Sequence, residues 1–447
     1  MSESRNPENV VSSFEQPLSA MERLTLHMPN ANVVLAARIR RVITQGEIER
    51  ALPALRDRHP LLAVRVELGD RSRAFFSASG VDLPEVAELG GGEMTQAVAQ
   101  ELRQAFSWER GPLMRLRLIP EEGHTVLLVC AHHAICDGLS LFFVLRDLVE
   151  WVELGRFMSP DPIAVAIQDS APIPHSSWGE RIGLRLMSKR WRRSGTAFSS
   201  SNTEELHERF WSEHSIHMHM EQLARDETEA FIAACRDQSI TVGTALTVAC
   251  LKAQTARQSN STIGGITQVT VSFRNRLHPP ATEALGFYAT RVRVPFEFDE
   301  GRTVWQNASS FGTALSNHLS DETVFSIRRL ERLDPGLIDA LAFAGGGLCD
   351  DRLAKRLVHR MGTDRVISGL MLANLGRPPQ PEANSAEILD AVFGPFVATP
   401  RSEKYIAAAT IGGRLHLSMS HDEATLPTPE AQSFFHDAIQ EIRRMSA

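Results

Sequence analysis

The run Ala131-His132-His133-Ala134-Ile135-Cys136-Asp137-Gly138 holds two adjacent histidines, three residues, then Asp-Gly. Imidazole has an unperturbed pKa of about 6.5, so a neutral ring is available at cellular pH. His133 is therefore the candidate general base. It would take a proton from a hydroxyl or amine attacking an activated carbonyl, and the same ring would return that proton to the leaving group. Side chains alternate along a strand, so His132 points to the other side and takes a supporting role. Gly138 allows a tight turn into the next helix and offers a backbone N–H near a developing oxyanion. Cys136 has apolar neighbours that favour burial, and nothing nearby would lower its pKa as a nucleophilic thiol requires. No Ser or Cys nucleophile motif accompanies the histidines. Transfer without a covalent enzyme intermediate is the expected route.

Such a base must be held by rigid elements. The apolar run from Thr125 to Cys130 predicts a strand leading into the histidines, and the run from Leu139 to Trp151 predicts a helix leading out. Before them, Met114, Leu116 and Leu118 alternate with Arg115 and Arg117, the period of a half-buried strand. Glu121-Glu122-Gly123-His124 reads as the hairpin turn between the two strands. Further upstream come a strand from Val33 to Ile43, a helix with Ile48, Leu52 and Leu55 on one face, and a helix from Met94 to Phe106. Pro53 is expected to bend the first of these helices.

The Ser-rich stretch from Thr196 to Thr203 lacks periodicity and reads as a linker. Beyond it, strands are expected near Ser215 to Met220, Thr267 to Phe273 and Thr290 to Val294. Helices are expected from Gln222 to Asp237 and, fully buried, from Gly243 to Ala253. Tyr405 to Ile411 and Arg414 to Ser420 form a hairpin around Gly412-Gly413, followed by His421 and a helix from Thr428 to Arg444. Both halves thus read strand, turn, strand, histidine, helix. The expected architecture is α/β with mixed sheets in two related domains. Residues 1–195 carry the histidine pair, 196–205 form the linker and 206–447 form the second domain. His421 is then a vestige or a surface residue.

A chain of 447 residues is too long for one typical core. Its net charge of −7 gives no electrostatic case for nucleic acid. Met1 to Asn9 is polar, unlike a secretory signal, and no apolar run is long enough to span a bilayer. The five cysteines are scattered. They read as buried thiols in a reducing, cytoplasmic compartment. No CxxC pair suggests zinc, and His214, His217 and His219 read as a solvated strand face, so no metal is expected. Gly90 to Gly92 and Gly345 to Gly347 read as turns, without phosphate-loop spacing. Arg181, Arg185 and Lys189 belong to a basic stretch that reads first as a solvated helix face and otherwise as a surface for an anionic partner.

The HHxxxDG pattern resembles the signature of the CoA-dependent acyltransferase superfamily. Its members include chloramphenicol acetyltransferase-like enzymes, nonribosomal peptide condensation domains and bacterial polyketide-associated acyltransferases. Pro17 to Arg23, Arg58-His59-Pro60-Leu61-Leu62, Gly111 to Arg115, Val271 to Leu277 with Leu285-Gly286, and Asn374-Leu375-Gly376 are similar to other segments of that group. The resemblance implies two chloramphenicol-acetyltransferase-like domains forming a pseudo-dimer, with the active site in a channel between them. It implies that Asp137 is a structural residue paired with an arginine, Arg274 first and Arg276 second. Cys136, Asn374 and Gly376 become channel candidates. The co-substrate is an acyl thioester on a carrier protein's phosphopantetheine arm or on coenzyme A, with no bound cofactor. Arg181, Arg185 and Lys189 become carrier-docking candidates.

The expected product is an ester made with a small-molecule alcohol. Amide formation with an amine is the alternative, and a non-catalytic docking module is a third reading. Val392-Phe393-Gly394-Pro395-Phe396 departs from the DFGWG motif of the plant branch. The short segment after the last helix fits a free-standing bacterial enzyme, expected as a monomer.

Overall fold

The computed structural model describes residues 14–69, 73–194, 196–256, 265–381 and 388–446. The polar stretch Met1 to Asn9 lies outside the described residues. The strands of the first half are β1 (Glu15–Pro17), β2 (Asn32–Ile39), β3 (Arg65–Leu68), β4 (Ala74–Ser77), β5 (Glu85–Glu88), β6 (Met114–Glu121) and β7 (His124–His132). Those of the second half are β8 (Ile216–Gln222), β9 (Ile266–Ser272), β10 (Ala289–Pro295), β11 (Ser368–Asn374), β12 (Leu389–Val397), β13 (Ser402–Ile411) and β14 (Arg414–Asp422).

They form a small sheet β1-β4-β3, a five-stranded sheet β12-β2-β7-β6-β5 and a six-stranded sheet β10-β9-β11-β13-β14-β8. Both larger sheets are mixed: β5 runs parallel to β6, and β11 runs parallel to β9 and β13. This is the α/β architecture expected from the sequence.

The β7 strand is apolar without a break because both of its faces are covered. Leu127, Val129 and Ala131 pack into the core that includes Leu141 and Leu145 of the helix Gly138–Leu154. Val126, Leu128 and Cys130 pack on the other side with Val98, Leu102 and Trp211. The same covering overturns the half-buried reading of β6. Arg115 and Arg117 are both buried. Glu101, on the helix Met94–Arg103, pairs with Arg115 and takes the Arg117 Nε–H at 2.9 Å. The alternation of charge was real, but its charged face lies under a helix rather than under water.

Residues 200–205 are not an unstructured linker. They begin the helix Ser200–Glu213, and Ser199 is its N-cap in a reciprocal capping box with Asn202. Serines that suggest a loop are here the chemistry of a helix start. The strand β12 also crosses the proposed domain division. It belongs to the second half yet pairs antiparallel with β2, from Leu389↔Ile39 to Val397↔Val33. Pro53 sits inside the helix Gln45–Arg58 without ending it.

In the six-stranded sheet, Leu370, Leu372, Ile406 and Leu417 face the helices Val242–Thr255 and Thr428–Met445. Met371, Ala373, Tyr405 and Ala407 lie on the opposite face. Gly412 and Gly413 turn the β13–β14 hairpin at φ +55° and +79°, values that glycine adopts without strain.

Candidate active site

The two histidines sit where β7 ends, and their rings have different surroundings. His133 donates its backbone N–H to Ala31 O at 2.6 Å. Its Nδ1 lies 2.7 Å from Cys136 O, a carbonyl that can only accept, so Nδ1 carries the proton and Nε2 keeps its lone pair. The ring packs against Phe287 at 4.2 Å between centroids. Burial holds the His133 pKa below its ordinary value, while the Cys136 carbonyl and Asp137 partly restore it and Arg291 opposes. The result is a neutral, oriented imidazole that still reaches solvent.

His132 is enclosed. Its Nδ1 accepts the Ala134 N–H at 3.2 Å, and its ring meets Phe106 edge-on. Burial, with His133 and His27 nearby, pushes its pKa down to about 3. It therefore shapes the loop as an uncharged acceptor. Cys136 is fully buried, so its thiol does not line an accessible channel, and burial raises its pKa well above the ordinary thiol value. What Cys136 contributes is its main-chain carbonyl, which fixes the tautomer of His133.

Asp137 caps the helix Gly138–Leu154, accepting the Ser140 N–H at Oδ1 (2.7 Å). Its Oδ2 accepts the Tyr288 N–H at 2.9 Å. Arg274 reaches Asp137 Oδ1 at 3.3 Å and Ser140 Oγ at 2.5 Å, and gives its other nitrogen to Thr282 O and Ala284 O. The Arg274 guanidinium lies over the Tyr288 ring at 4.5 Å. Arg276 points elsewhere, to Asp321 and Leu319 O. Asp137 thus serves as a clasp between the two halves of the chain. A further network extends it: His59 contacts Asp147 at 2.9 Å and accepts the Leu285 N–H.

At Gly138 the spatial constraint is Pro395 of β12. A Cβ built on Gly138 would lie 2.4 Å from Pro395 Cγ. Gly138→Ala is expected to destabilise the protein by about 1–3 kcal/mol through this overpacking. Urea unfolding of Gly138→Ala, with and without Pro395→Ala, checks it: the second change should recover part of the loss. Asn374 and Gly376 close the end of β11, with the Gly376 N–H donating to Asn374 Oδ1 at 3.0 Å. Their hydrogen bonds stay within that turn and β13. Arg181, Arg185 and Lys189 lie exposed on the helix Trp178–Ser194, with Arg181 spending one N–H on Ser176 O.

Phe287, Tyr288, Ser140 and Pro395 were not singled out from the sequence. The available signal was Phe287-Tyr288 directly after Leu285-Gly286. His421 is not a surface residue: it is buried and stacks on His219 at 5.3 Å. His219 is half-buried, so only His217 of that strand fits the solvated reading. Among the described residues, no three His, Cys, Asp or Glu side chains gather as a metal site. All five cysteines are free and buried, and among the described residues no helix is long and apolar enough to cross a membrane.

Two buried imidazoles set an acid limit. His132 and His416 are buried, with pKa values pushed down by burial to about 3 and about 4. The unfolded chain takes up a proton at each below about pH 6.5, but the folded chain does not. Stability is therefore retained above that pH and falls below it, by about 1.4 kcal/mol per pH unit for each histidine. Urea midpoints at pH 7 and pH 5 check this, and His416→Gln should flatten the slope.

Residues 21–156 match the family model described as Condensation domain. Malpinin synthetase from Mortierella alpina is 28% identical over 178 residues, 38% of this chain and 2% of the relative. The chain therefore spans a small fraction of the curated relatives it matches. Among solved structures, the trichothecene 15-O-acetyltransferase TRI3 from Fusarium sporotrichioides aligns with a TM-score of 0.65 at 12% identity, covering 96% of this chain and 95% of the other. Polyketide synthase associated protein 5 from Mycobacterium tuberculosis aligns with a TM-score of 0.59 at 14% identity, covering 97% of each chain. The first part of the chain thus matches a condensation-domain model, and nearly the whole chain has the two-lobed fold of these acyltransferase-like structures. The resemblance read from the sequence is borne out at that level.

Proposed function

We propose that the protein moves an acyl group from a carrier-bound thioester to an acceptor hydroxyl, forming an ester. The observation that carries this reading is the His133 imidazole, with Nδ1–H committed to the Cys136 carbonyl and Nε2 left as the proton acceptor. Nε2 removes the acceptor proton as oxygen attacks the thioester carbonyl, then gives it to the departing thiolate. Asp137 and Arg274 hold the loop that aims the ring, and Gly138 admits the close approach of Pro395. Supporting the class of reaction are the family match over residues 21–156 and the acetyltransferase-like fold.

Amide formation with an amine acceptor is the second reading. The favouring observation is that the curated relatives include nonribosomal peptide synthetases. Intact-mass analysis of acylated carrier proteins, incubated with the chain and a panel of alcohols and amines, tests both. Loss of the acyl mass with alcohols alone supports the ester, with amines alone the amide, and with neither rejects the reaction.

The exposed Arg181, Arg185 and Lys189 are proposed to receive an acidic carrier protein. Charge reversal at the three positions should raise KM for the acylated carrier several-fold at low salt. Turnover of a small thioester mimic should be unchanged. Equal losses with both donors would assign the patch to the fold instead.

A further inference from the structure

The inner face of the six-stranded sheet carries charge that the chemistry above leaves unused. Val292 and Val294 of β10 belong to the helix-side core, so alternation sends Arg291 and Arg293 to the opposite face. That face also holds Met371, Ala373, Tyr405 and Ala407. The first half's sheet closes onto it through β12, where the Gly394 N–H donates to Ser418 Oγ at 2.8 Å. Arg291 keeps a large solvent-accessible area, yet the surrounding protein desolvates it enough to lower its pKa. His133 is near in the fold: it too reaches solvent, and its ring packs at 4.2 Å on Phe287, which leads into the strand that carries Arg291.

Two neighbours make Arg291 part of a site. Across the β9–β10 ladder it pairs with Thr270, on the same face, whose buried Oγ1 has no hydrogen-bond partner. Arg401 lies close enough for Arg291 and Arg293 to repel it, and burial with this repulsion lowers its pKa to about 10. The one carboxylate acting on Arg401 is Asp364, which is already bound to His359 and Arg365. Arg293 donates to Met361 O at 2.7 Å. Among the described residues, the guanidinium groups of Arg291 and Arg401 have no hydrogen-bond or ion-pair partner. Desolvated cations without a counter-charge are costly to keep. An anion arriving with a ligand removes that cost.

We propose that Arg291, Arg401 and Thr270 bind an anionic group, carboxylate or phosphoryl, of the substrate that meets His133. That this substrate meets His133 rests on the function proposed above, whereas anion binding itself does not. Arginine suits either oxyanion because its planar fork presents parallel N–H donors.

Calorimetric titration of the full chain with phenylbutyrate, phenyl phosphate and neutral phenylbutyramide tests the site without any turnover. At least one anion should bind about tenfold or more tightly than the amide. Arg291→Gln should remove that advantage and leave amide binding unchanged, with the melting curve confirming a folded protein. If Arg291→Gln does not fold, Arg401→Gln carries the same expectation. Unchanged anion affinity in a folded variant, or equal binding of amide and anions by the parent protein, overturns the proposal. Preference for phenylbutyrate points to an acidic acceptor, and preference for phenyl phosphate to the phosphorylated arm of the thioester donor. Anion binding without acyl transfer would reject the proposed reaction alone. Acyl transfer without anion binding would reject this site alone.

Discussion

His133→Ala is expected to lower acyl transfer by about 10²–10⁴-fold while leaving the melting curve close to that of the parent protein, the range a positioned general base supplies. The ring is hydrogen-bonded to the Cys136 carbonyl, which is part of a loop already pinned by Asp137. Its removal therefore subtracts chemistry more than structure. His132→Ala should show the reverse balance, because His132 is buried and accepts the Ala134 N–H. The pH profile adds a second readout. Burial lowers the His133 pKa, and the base must be deprotonated to act. The rate should therefore hold as pH falls through about 6.5 and decline only below it. Near-parental turnover by a folded His133→Ala protein would remove His133 from the base role.

Much of this site could be read from the sequence because its positions are set by local patterns. An apolar run ending in two histidines, followed by Asp-Gly and a second apolar run, specifies a strand, a turn and a capped helix. Those elements stand at His124–His132 and Gly138–Leu154. What could not be read depends on partners distant in the chain. Arg115 and Arg117 have the alternation of a wetted strand, and only tertiary packing brings Glu101 over both. Strand β12 contains Gly394-Pro395, a pair that argues against a central strand, and it serves as an edge strand beside β2. Its presence explains why position 138 needs a glycine, since Pro395 fills the space a side chain would occupy. Phe287 and Tyr288 carried no pattern of their own. They matter because the segment from Ala284 to Tyr288 is held against the histidine loop by Arg274, Asp137 and His59.

That clasp yields the largest expected effect on stability. Asp137 and Arg274 are both buried, with side-chain exposures of 4% and 6%. Removing either leaves the other charge enclosed, at a cost of roughly 3–5 kcal/mol. Asp137→Ala also releases the Tyr288 N–H and uncaps the helix, so its effect should be the larger of the two. Arg274→Ala leaves Thr282 O and Ala284 O without their donor. In the double variant neither charge remains stranded, and the combined loss should fall short of the sum by about 1–3 kcal/mol. Urea unfolding of the parent, both single variants and the double variant measures this coupling. Strict additivity would show that the two groups are near each other without acting as a pair. Arg276→Ala is the control. Arg276 binds Asp321 at the surface, so it should cost little and show no coupling to Asp137. Because the clasp joins the first half to the segment carrying Phe287, loosening it should also let the Phe287 ring leave His133. Turnover should then fall even under conditions where the single variants remain folded, and a variant that loses stability without losing rate would separate the clasp from the aim of the base.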